Sequence, residues 1–313
     1  MGTVLSIRPT PEDDEEDSDE PIFEVKIVFG GDFQVVKTIK SRRVVCAMGP
    51  MFRALETAWE SSLQQELGTD YPCRRILHAH QISPFLKILD EKKIKLDMRI
   101  LIVGGGITSA QLALLSAKAR WCKQVTLIQR SRMVPRHFDI PNEHMGPRRG
   151  RLLEEFWSLD MHDRAEQLRR IRGGGSVPPE IVTELMRSKA AVKEEVEISE
   201  VRWVDGRLRV TLDDGSEGDY DMIWLATGAN NHVDHYSALS DLREVLPVDV
   251  VNGLPVLNGD LSWRVPDGDE EPMWKQVARK RIWCMGALAA LELGPDALNL
   301  IGARHVSQRQ FMP

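Results

Sequence analysis

Two short runs, "FEVKIVF" (residues 23–29) and "FQVVKTIK" (33–40), alternate hydrophobic and polar positions with a period of two. That is the pattern of half-buried strands, and Gly30-Gly31-Asp32 between them predicts a hairpin. Val4-Leu5-Ser6-Ile7 reads as a short strand before it, and "RRVVCAMGP" as an apolar strand closing in Gly49. Residues 51–70 predict a helix, and 73–97 a loop and helix leading to Met98. From Met98 to Arg132 the pattern is strand, glycine turn, helix, strand. Residues 150–172 predict one charged helix whose apolar face is Leu152, Leu153, Phe156, Leu159, Leu168 and Ile171. "GGGSVPPE" ends it, and the next helix runs through Ile181 to Lys189. "VEISEVRWV", "RLRVTLDD" and "YDMIWLATG" then predict a hairpin and a returning apolar strand, with turns at Asp205-Gly206 and Asp213-Asp214-Gly215. Residues 240–280 are rich in loop formers. The end, "RIWCMGALAALELGPDALNLIGARH", reads as a strand into Gly286 followed by a helix.

The layout repeats. "EVKIVFGGDFQVVKTIKSRRVVCAMGP" and "RLRVTLDDGSEGDYDMIWLATGAN" each carry a strand, a glycine turn, a polar stretch and an apolar strand closing in Gly. The second copy follows a glycine-rich strand–helix–strand unit; the first does not.

That unit is "RILIVGGGITSAQLA", Arg99 to Ala113. Gly104, Gly106 and Ser109 stand as G-x-G-x-x-S, with Gly105 as an additional glycine, after the strand Ile100–Val103 and before a helix rich in Ala and Leu. A second strand, Val125–Ile128, follows at the spacing a dinucleotide-binding unit requires. Gly104 permits the tight turn, Gly106 lets backbone approach a pyrophosphate, and Ser109 is the small residue where helix packs on strand. The helix start then directs free N–H groups and the positive end of its dipole at phosphate. The second strand ends in Gln129-Arg130-Ser131-Arg132 where an NAD site carries Asp or Glu. No acid stands in that stretch to repel a 2′-phosphate, and two guanidiniums suit one, which favours NADP(H) over NAD(H).

Composition limits the alternatives. The net charge of -6 argues against general nucleic-acid or acidic-membrane binding. No apolar run is long enough for a transmembrane helix, and no secretory signal pattern opens the chain. Cys46, Cys73, Cys122 and Cys284 form no CxxC pair, which suits a reducing compartment, so a cytoplasmic location is expected. "PEDDEEDSDE", Pro11–Glu20, is acidic enough to predict a flexible surface loop. "MGTVLS" fits the N-myristoylation pattern at Gly2 and Ser6, but the strand reading is preferred. His78 and His80, and His232, Asp234 and His235, lack a third ligand at metal spacing and read as loop residues; no metal is expected. Ser109 and Ser176 lack a nucleophile elbow. "RRGRLLEEF" and "LRRIR" read as salt-bridged helix faces rather than a nucleic-acid patch.

On "VGGGITSAQLA", "VTLIQRSR", "GGGSV", "WLATG" and "MGALAALELGPDALNLIGAR" the chain resembles flavoproteins with two dinucleotide-binding domains. Among them it is similar to the flavin-dependent N-hydroxylating monooxygenases of the lysine/ornithine type. The resemblance covers most of the chain from residue 98 onward. It implies that Gly104, Gly105, Gly106, Thr108 and Ser109 hold the NADP pyrophosphate and that Arg130 and Arg132 hold its 2′-phosphate. It implies that Ala226, Thr227 and Gly228 form the domain-linking strand, with Met48-Gly49 as the first such element in the departing form "CAMG". Gly286, Leu293, Gly294, Pro295 and Asn299 would face the flavin. NADP(H) and FAD are the implied cofactors, and the implied substrate is a small molecule, an amine.

The expected fold class is α/β: a Rossmann-like three-layer NAD(P)-binding domain with a β-meander, plus an incomplete FAD-type domain. Residues 1–50 would be a partial FAD-domain β-meander with the acidic loop 11–20, 51–97 a helical linker, and 98–232 the NADP-binding domain. Residues 233–280 would be a loop-rich connection, and 281–313 a strand and helix returning to the FAD-type domain. The family carries a first glycine fingerprint, for FAD, that this sequence lacks. Weak flavin binding or none is therefore expected, through truncation or loss of the flavin role. No residue stands out as a catalytic acid or base. Three readings stay open: an NADPH- and FAD-dependent oxidoreductase, a non-catalytic nucleotide-binding remnant, or a chain completed by an oligomer or second polypeptide.

Overall fold

The computed structural model describes residues 2–11, 22–29, 35–49, 57–68, 75–91 (backbone only for 88–91), 97–173, 175–228, 231–266, 268, 270–299 and 302–304. The expected turn at Gly30-Gly31-Asp32, most of the acidic run and Cys73 lie outside them. The chain divides into two compact units, one of residues 1–51, 140–173 and 231–313, the other of 52–139 and 174–230.

Along the chain, unit 1 opens with β1 (Gly2–Thr10), β2 (Ile22–Phe29), β3 (Val35–Ser41) and β4 (Val44–Cys46). Unit 2 follows with α1 (Ala58–Leu67), β5 (Ile76–His78), α2 (Ala79–Glu91), β6 (Met98–Val103), α3 (Ile107–Lys118) and β7 (Cys122–Gln129). Helices α4 (Arg149–Trp157) and α5 (Met161–Arg172) belong to unit 1. Unit 2 resumes with α6 (Pro179–Arg187), β8 (Ala191–Glu194), β9 (Ile198–Val204), β10 (Arg207–Leu212), β11 (Glu217–Tyr220) and β12 (Met222–Leu225). Unit 1 closes with α7 (Ser240–Val245), β13 (Val250–Val251), β14 (Leu254–Pro255), α8 (Met273–Arg279), β15 (Ile282–Cys284) and α9 (Ala290–Leu293).

Unit 2 is a three-layer α/β sandwich. Its parallel sheet runs β5-β12-β6-β7-β8. The central strands β6 and β12 carry the continuous apolar runs Ile100–Val103 and Met222–Leu225 because both faces are covered. Ile100, Ile102, Val125, Leu127, Met222 and Trp224 pack on α2, α3 and α6 through Ile82, Ala110, Ala113 and Leu185. The alternate residues Leu101, Ile128, Ile223 and Leu225 pack on the antiparallel meander β9–β10–β11 and on Leu63 of α1. Asp205 and Gly206 both take positive φ (50° and 77°), the primed turn that Asp-Gly between alternating strands predicts.

Unit 1 carries the antiparallel meander β1–β2–β3 and the parallel pair β4–β15. Its core gathers Phe23, Trp263, Tyr236, Leu242 and Leu288. The two sequence repeats thus fold alike: β2–β3 leads to β4 and Gly49, as β10–β11 leads to β12 and Gly228.

Several details differ from the sequence reading. The range 98–232 is not one compact body, because residues 140–173 cluster with unit 1 while 52–97 cluster with the parallel sheet. The helix expected over 150–172 is two helices. The Asp160 side chain accepts the N–H of Asp163 at 2.8 Å and starts α5 as an N-cap. β5 was hidden inside a span that reads as loop and helix; three residues are too few to show a period.

Candidate functional site

The glycine turn follows β6 at the point where the sheet order reverses, β7 lying on one side and β12 on the other. In open α/β sheets such a switch point leaves a crevice at the carboxyl ends of the strands. Gly104 takes φ +150°, and a Cβ there would collide with the carbonyl oxygen of Ala226 beyond β12. Its N–H donates to the Ile128 carbonyl at 3.0 Å, so the turn is tied to both neighbouring strands. Gly106 is the N-cap of α3 and supplies no side-chain cap. The N–H groups of Ile107, Thr108 and Ser109 therefore have no intrahelical acceptor and point out of the helix end. Ser109 is fully buried and donates its hydroxyl to the Gly106 carbonyl at 2.7 Å, so it packs the turn and does not reach outward. Thr108 is exposed beside it.

A neighbour that no local sequence pattern announces covers part of this turn. Gly175 lies so close to the Gly105–Gly106 peptide that a Cβ would collide with the Gly105 carbonyl, and its Cα is 3.8 Å from a Cβ position on Gly106. The close approach at Gly106 is thus taken up by the chain's own glycine strap. Val177 anchors that strap by pairing with Pro135.

The end of β7 is also more acidic than the sequence implies. Gln129 is buried and donates to Glu194 Oε1 at 2.9 Å, and the Met133 N–H donates to the same oxygen at 2.8 Å. Arg132 pairs with Glu195 at 3.1 Å. The expectation that no acid is available here is corrected: β8 pairs in parallel with β7 and brings both carboxylates alongside. Arg130 is exposed and makes no ion pair among the described residues. The Arg132–Glu195 pair is itself exposed, so its Coulomb energy is small and a phosphate competes for the guanidinium.

In unit 1, Ala47-Met48-Gly49, Met285-Gly286-Ala287, Ala297-Leu298-Asn299 and Ala303 line a cleft of about 280 Å³. The parallel β4–β15 pair builds its floor: Cys46 stands in register with Cys284, and the Met285 N–H donates to the Cys46 carbonyl at 3.1 Å. The Cys46 thiol and complete burial push the Cys284 thiol well above its ordinary range, so Cys284 is not poised as a thiolate. Gly286 takes φ +68° where the chain leaves β15. Tyr236 donates its hydroxyl to the Gly49 carbonyl at 3.1 Å and fixes the opposite lip.

The cleft brings together Gly49, Gly286 and Asn299 from the sequence-derived set. It does not include Leu293, Gly294 or Pro295. Leu293 is buried, a Cβ on Gly294 would lie 2.6 Å from Leu153 Cδ2, and the Pro295 carbonyl accepts Arg172 Nη1 at 2.6 Å. These three lock the segment onto α4 and α5. Asp296, next in line, accepts Arg149 Nε at 2.6 Å.

Gly228, with φ +92°, has open space around its Cα. Thr227 Oγ1 beside it is shielded and unpartnered, and the Ala226 N–H donates to the Val103 carbonyl at 2.8 Å. His78 is not a loop residue: it ends β5 and contacts Glu60 of α1 at 3.1 Å. Among the described residues no three His, Cys, Asp or Glu side chains converge as a metal site. No helix among them is long and apolar enough to cross a membrane.

No family model and no curated protein matches the sequence. The fold does match solved structures. A cadaverine monooxygenase of desferrioxamine biosynthesis from Erwinia amylovora, solved with FAD, is 14% identical with a TM-score of 0.67. An ornithine N-hydroxylase from Kutzneria sp. 744, solved with reduced FAD, NADP+ and L-ornithine, is 16% identical with a TM-score of 0.68. The ornithine hydroxylase of Pseudomonas aeruginosa is 17% identical with a TM-score of 0.69. Each alignment covers 99% of this chain and, in that order, 67%, 70% and 69% of the solved chain. The protein shares the α/β fold of these N-hydroxylating flavoproteins.

Proposed function

We propose that this protein binds NADP(H) at the glycine turn of unit 2 and acts as an oxidoreductase of the FAD-dependent N-hydroxylating type on an amine. The observation that carries the reading is the turn itself: Gly104 locked against Ala226, N–H groups at the start of α3 without an intrahelical acceptor, and Arg130 exposed at the end of β7 with no ion pair among the described residues. This donor set fits a pyrophosphate and a 2′-phosphate. Glu194 accepts from Gln129 and from the Met133 N–H through one oxygen, Oε1, which ties its carboxylate to the end of β7.

The unit 1 cleft fits the ring end of a flavin in size and in its small, apolar lining, but not a whole dinucleotide. When bound, a nicotinamide would supply a hydride and a flavin would pass the electrons on to oxygen. The chain's own part is to bind and orient: α3 and the arginines hold phosphate, and Ala47–Gly49 and Met285–Ala287 shape an apolar slot. An amine substrate is supported by the ornithine bound in the Kutzneria enzyme and the cadaverine named for the Erwinia one. The unbridged Cys46, Cys122 and Cys284 support a reducing, cytoplasmic setting.

A second reading, a nucleotide-binding protein without flavin chemistry, is favoured by one observation. Among the described residues of unit 1 no second G-x-G-x-x-G turn opens a helix. Titration of the protein with NADPH and NADH, followed by nicotinamide fluorescence, tests the shared premise. Tighter binding of NADPH supports the reading; absence of binding by both overturns it.

A further inference from the structure

The last residues of β4 and β15 are both cysteines, and they stand in register, Cys46 opposite Cys284 in the parallel pair. Side chains in register on neighbouring strands project to the same face. The burial pattern identifies that face. Val44, Cys46, Ile282 and Cys284 turn to the core of unit 1, while Val45 is exposed on the other side. The thiols are unbridged and in contact, Cys284 donating its S–H to the Cys46 sulfur. Cys122 contrasts with them: its thiol donates to the Gln124 carbonyl at 3.3 Å.

This arrangement is already that of a cross-link. Neighbouring strands lie about 4.8 Å apart, and a disulfide joins Cα atoms about 4.4–6.8 Å apart. Closing the bond therefore asks for side-chain rotation and no shift of either strand. Cys46 keeps 3% of its surface exposed and Cys284 none. Such burial slows a single thiol and favours a small, neutral oxidant over a bulky one. It also favours the second step, because the partner thiol is in contact while further oxidant is kept out.

We propose that Cys46 and Cys284 form an oxidation site, a dithiol that hydrogen peroxide converts to a disulfide between β4 and β15. The Cys46 sulfur attacks the peroxide O–O bond and becomes a sulfenic acid, and the thiol proton leaves in the first water. The Cys284 sulfur then displaces the hydroxyl, which departs with the Cys284 proton as the second water, and the S–S bond closes. Two thiols are oxidised by two electrons and one peroxide is reduced. The bond closes a loop that contains every residue of unit 2. It also ties together the two walls of the unit 1 cleft, since Ala47–Gly49 follow Cys46 and Met285–Ala287 follow Cys284. The site stands whether or not the cleft takes a flavin.

The test exposes the folded full chain to hydrogen peroxide at doses that oxidise the thiols of the urea-unfolded chain. Remaining thiols are alkylated, and a non-reducing digest is mapped by mass spectrometry. The expected product is one cross-linked peptide pair, Cys46 with Cys284, lighter by two hydrogens and released by dithiothreitol. Its formation is expected to raise the unfolding midpoint by about 5 °C. In Cys284→Ala the Cys46 sulfur has no partner and is expected to accumulate as sulfenic and sulfinic acids. Cys46 and Cys284 recovered from the folded parent as free thiols, or as separate sulfinic acids, would overturn the proposal. So would a midpoint that falls on cross-linking, which would show that the folded register does not accommodate the bond.

Discussion

A methyl group at Gly104 has nowhere to go. The Ala226 carbonyl occupies its place, and φ +150° is unfavourable for any other residue. Gly104→Ala is expected to destabilise the protein by about 3 kcal/mol. Gly259→Ala, with nothing within 4 Å of its Cβ position, should leave the unfolding midpoint nearly unchanged. Replacing Arg130 and Arg132 together by Ala should weaken NADPH far more than NADH in titration; equal effects would remove the 2′-phosphate assignment. His144 gives a pH signature. Burial depresses its imidazole below the ordinary 6.5, although Glu143 and Asp296 pull the other way. The unfolded chain then takes up a proton first, so stability falls as pH drops through 6.5 toward the lower folded value. His144→Gln should flatten that part of a stability–pH profile, and an unchanged profile would show that another group titrates. At this scale the turn was legible, since the strand–glycine–helix pattern is contiguous in sequence, but the contacts of Gly104 with Ala226 and of Gly106 with Gly175 were not. Glu194 and Glu195 were not, because the β7–β8 register joins residues 65 apart.

Among elements, the buried arginines decide how α4, α5 and α8 are held within unit 1. Arg279 is only 1% exposed; it pairs with Glu271 through two 2.6 Å contacts and donates to the carbonyls of Pro247 and Arg264. Arg164 joins Glu292 at 3.2 Å and donates to the carbonyls of Trp157, Leu159 and Leu291. Removing one member of such a pair leaves a buried charge unmatched. Arg279→Ala is therefore expected to cost about 3–5 kcal/mol in chemical denaturation. Arg151→Ala, which breaks only a solvent-exposed pair with Glu155, should be silent, and similar losses for the two would refute the distinction. The sequence separates these arginines poorly. "RRGRLLEEF" and "LRRIR" read as salt-bridged helix faces, and Arg151 and Arg169 do pair on the surface, yet Arg149 and Arg172 reach inward to Asp296 and Pro295. Helical spacing alone does not distinguish those two cases.

Across the whole molecule, two units share one chain by exchanging segments, and this set the limits of the sequence reading. The α/β class, the parallel sheet and the meanders follow from periods of two and from apolar runs such as Ile100–Val103. The assignment of 140–173 to unit 1 follows from long-range contacts of Arg149, Arg164 and Trp157 with residues 291–296, which no local pattern carries. Gly49, Gly286 and Asn299 meet in one cleft for the same reason: β4 and β15 are paired across most of the chain length. The central claim is that the chain takes NADP(H) at the turn of unit 2 and a flavin ring at the cleft of unit 1. Its most direct test is the visible absorption spectrum of the protein after loading with excess FAD and desalting, followed by anaerobic addition of NADPH. Retained flavin absorbance that NADPH bleaches is the predicted result; a colourless protein after desalting, or a flavin that NADPH leaves oxidised, would contradict it.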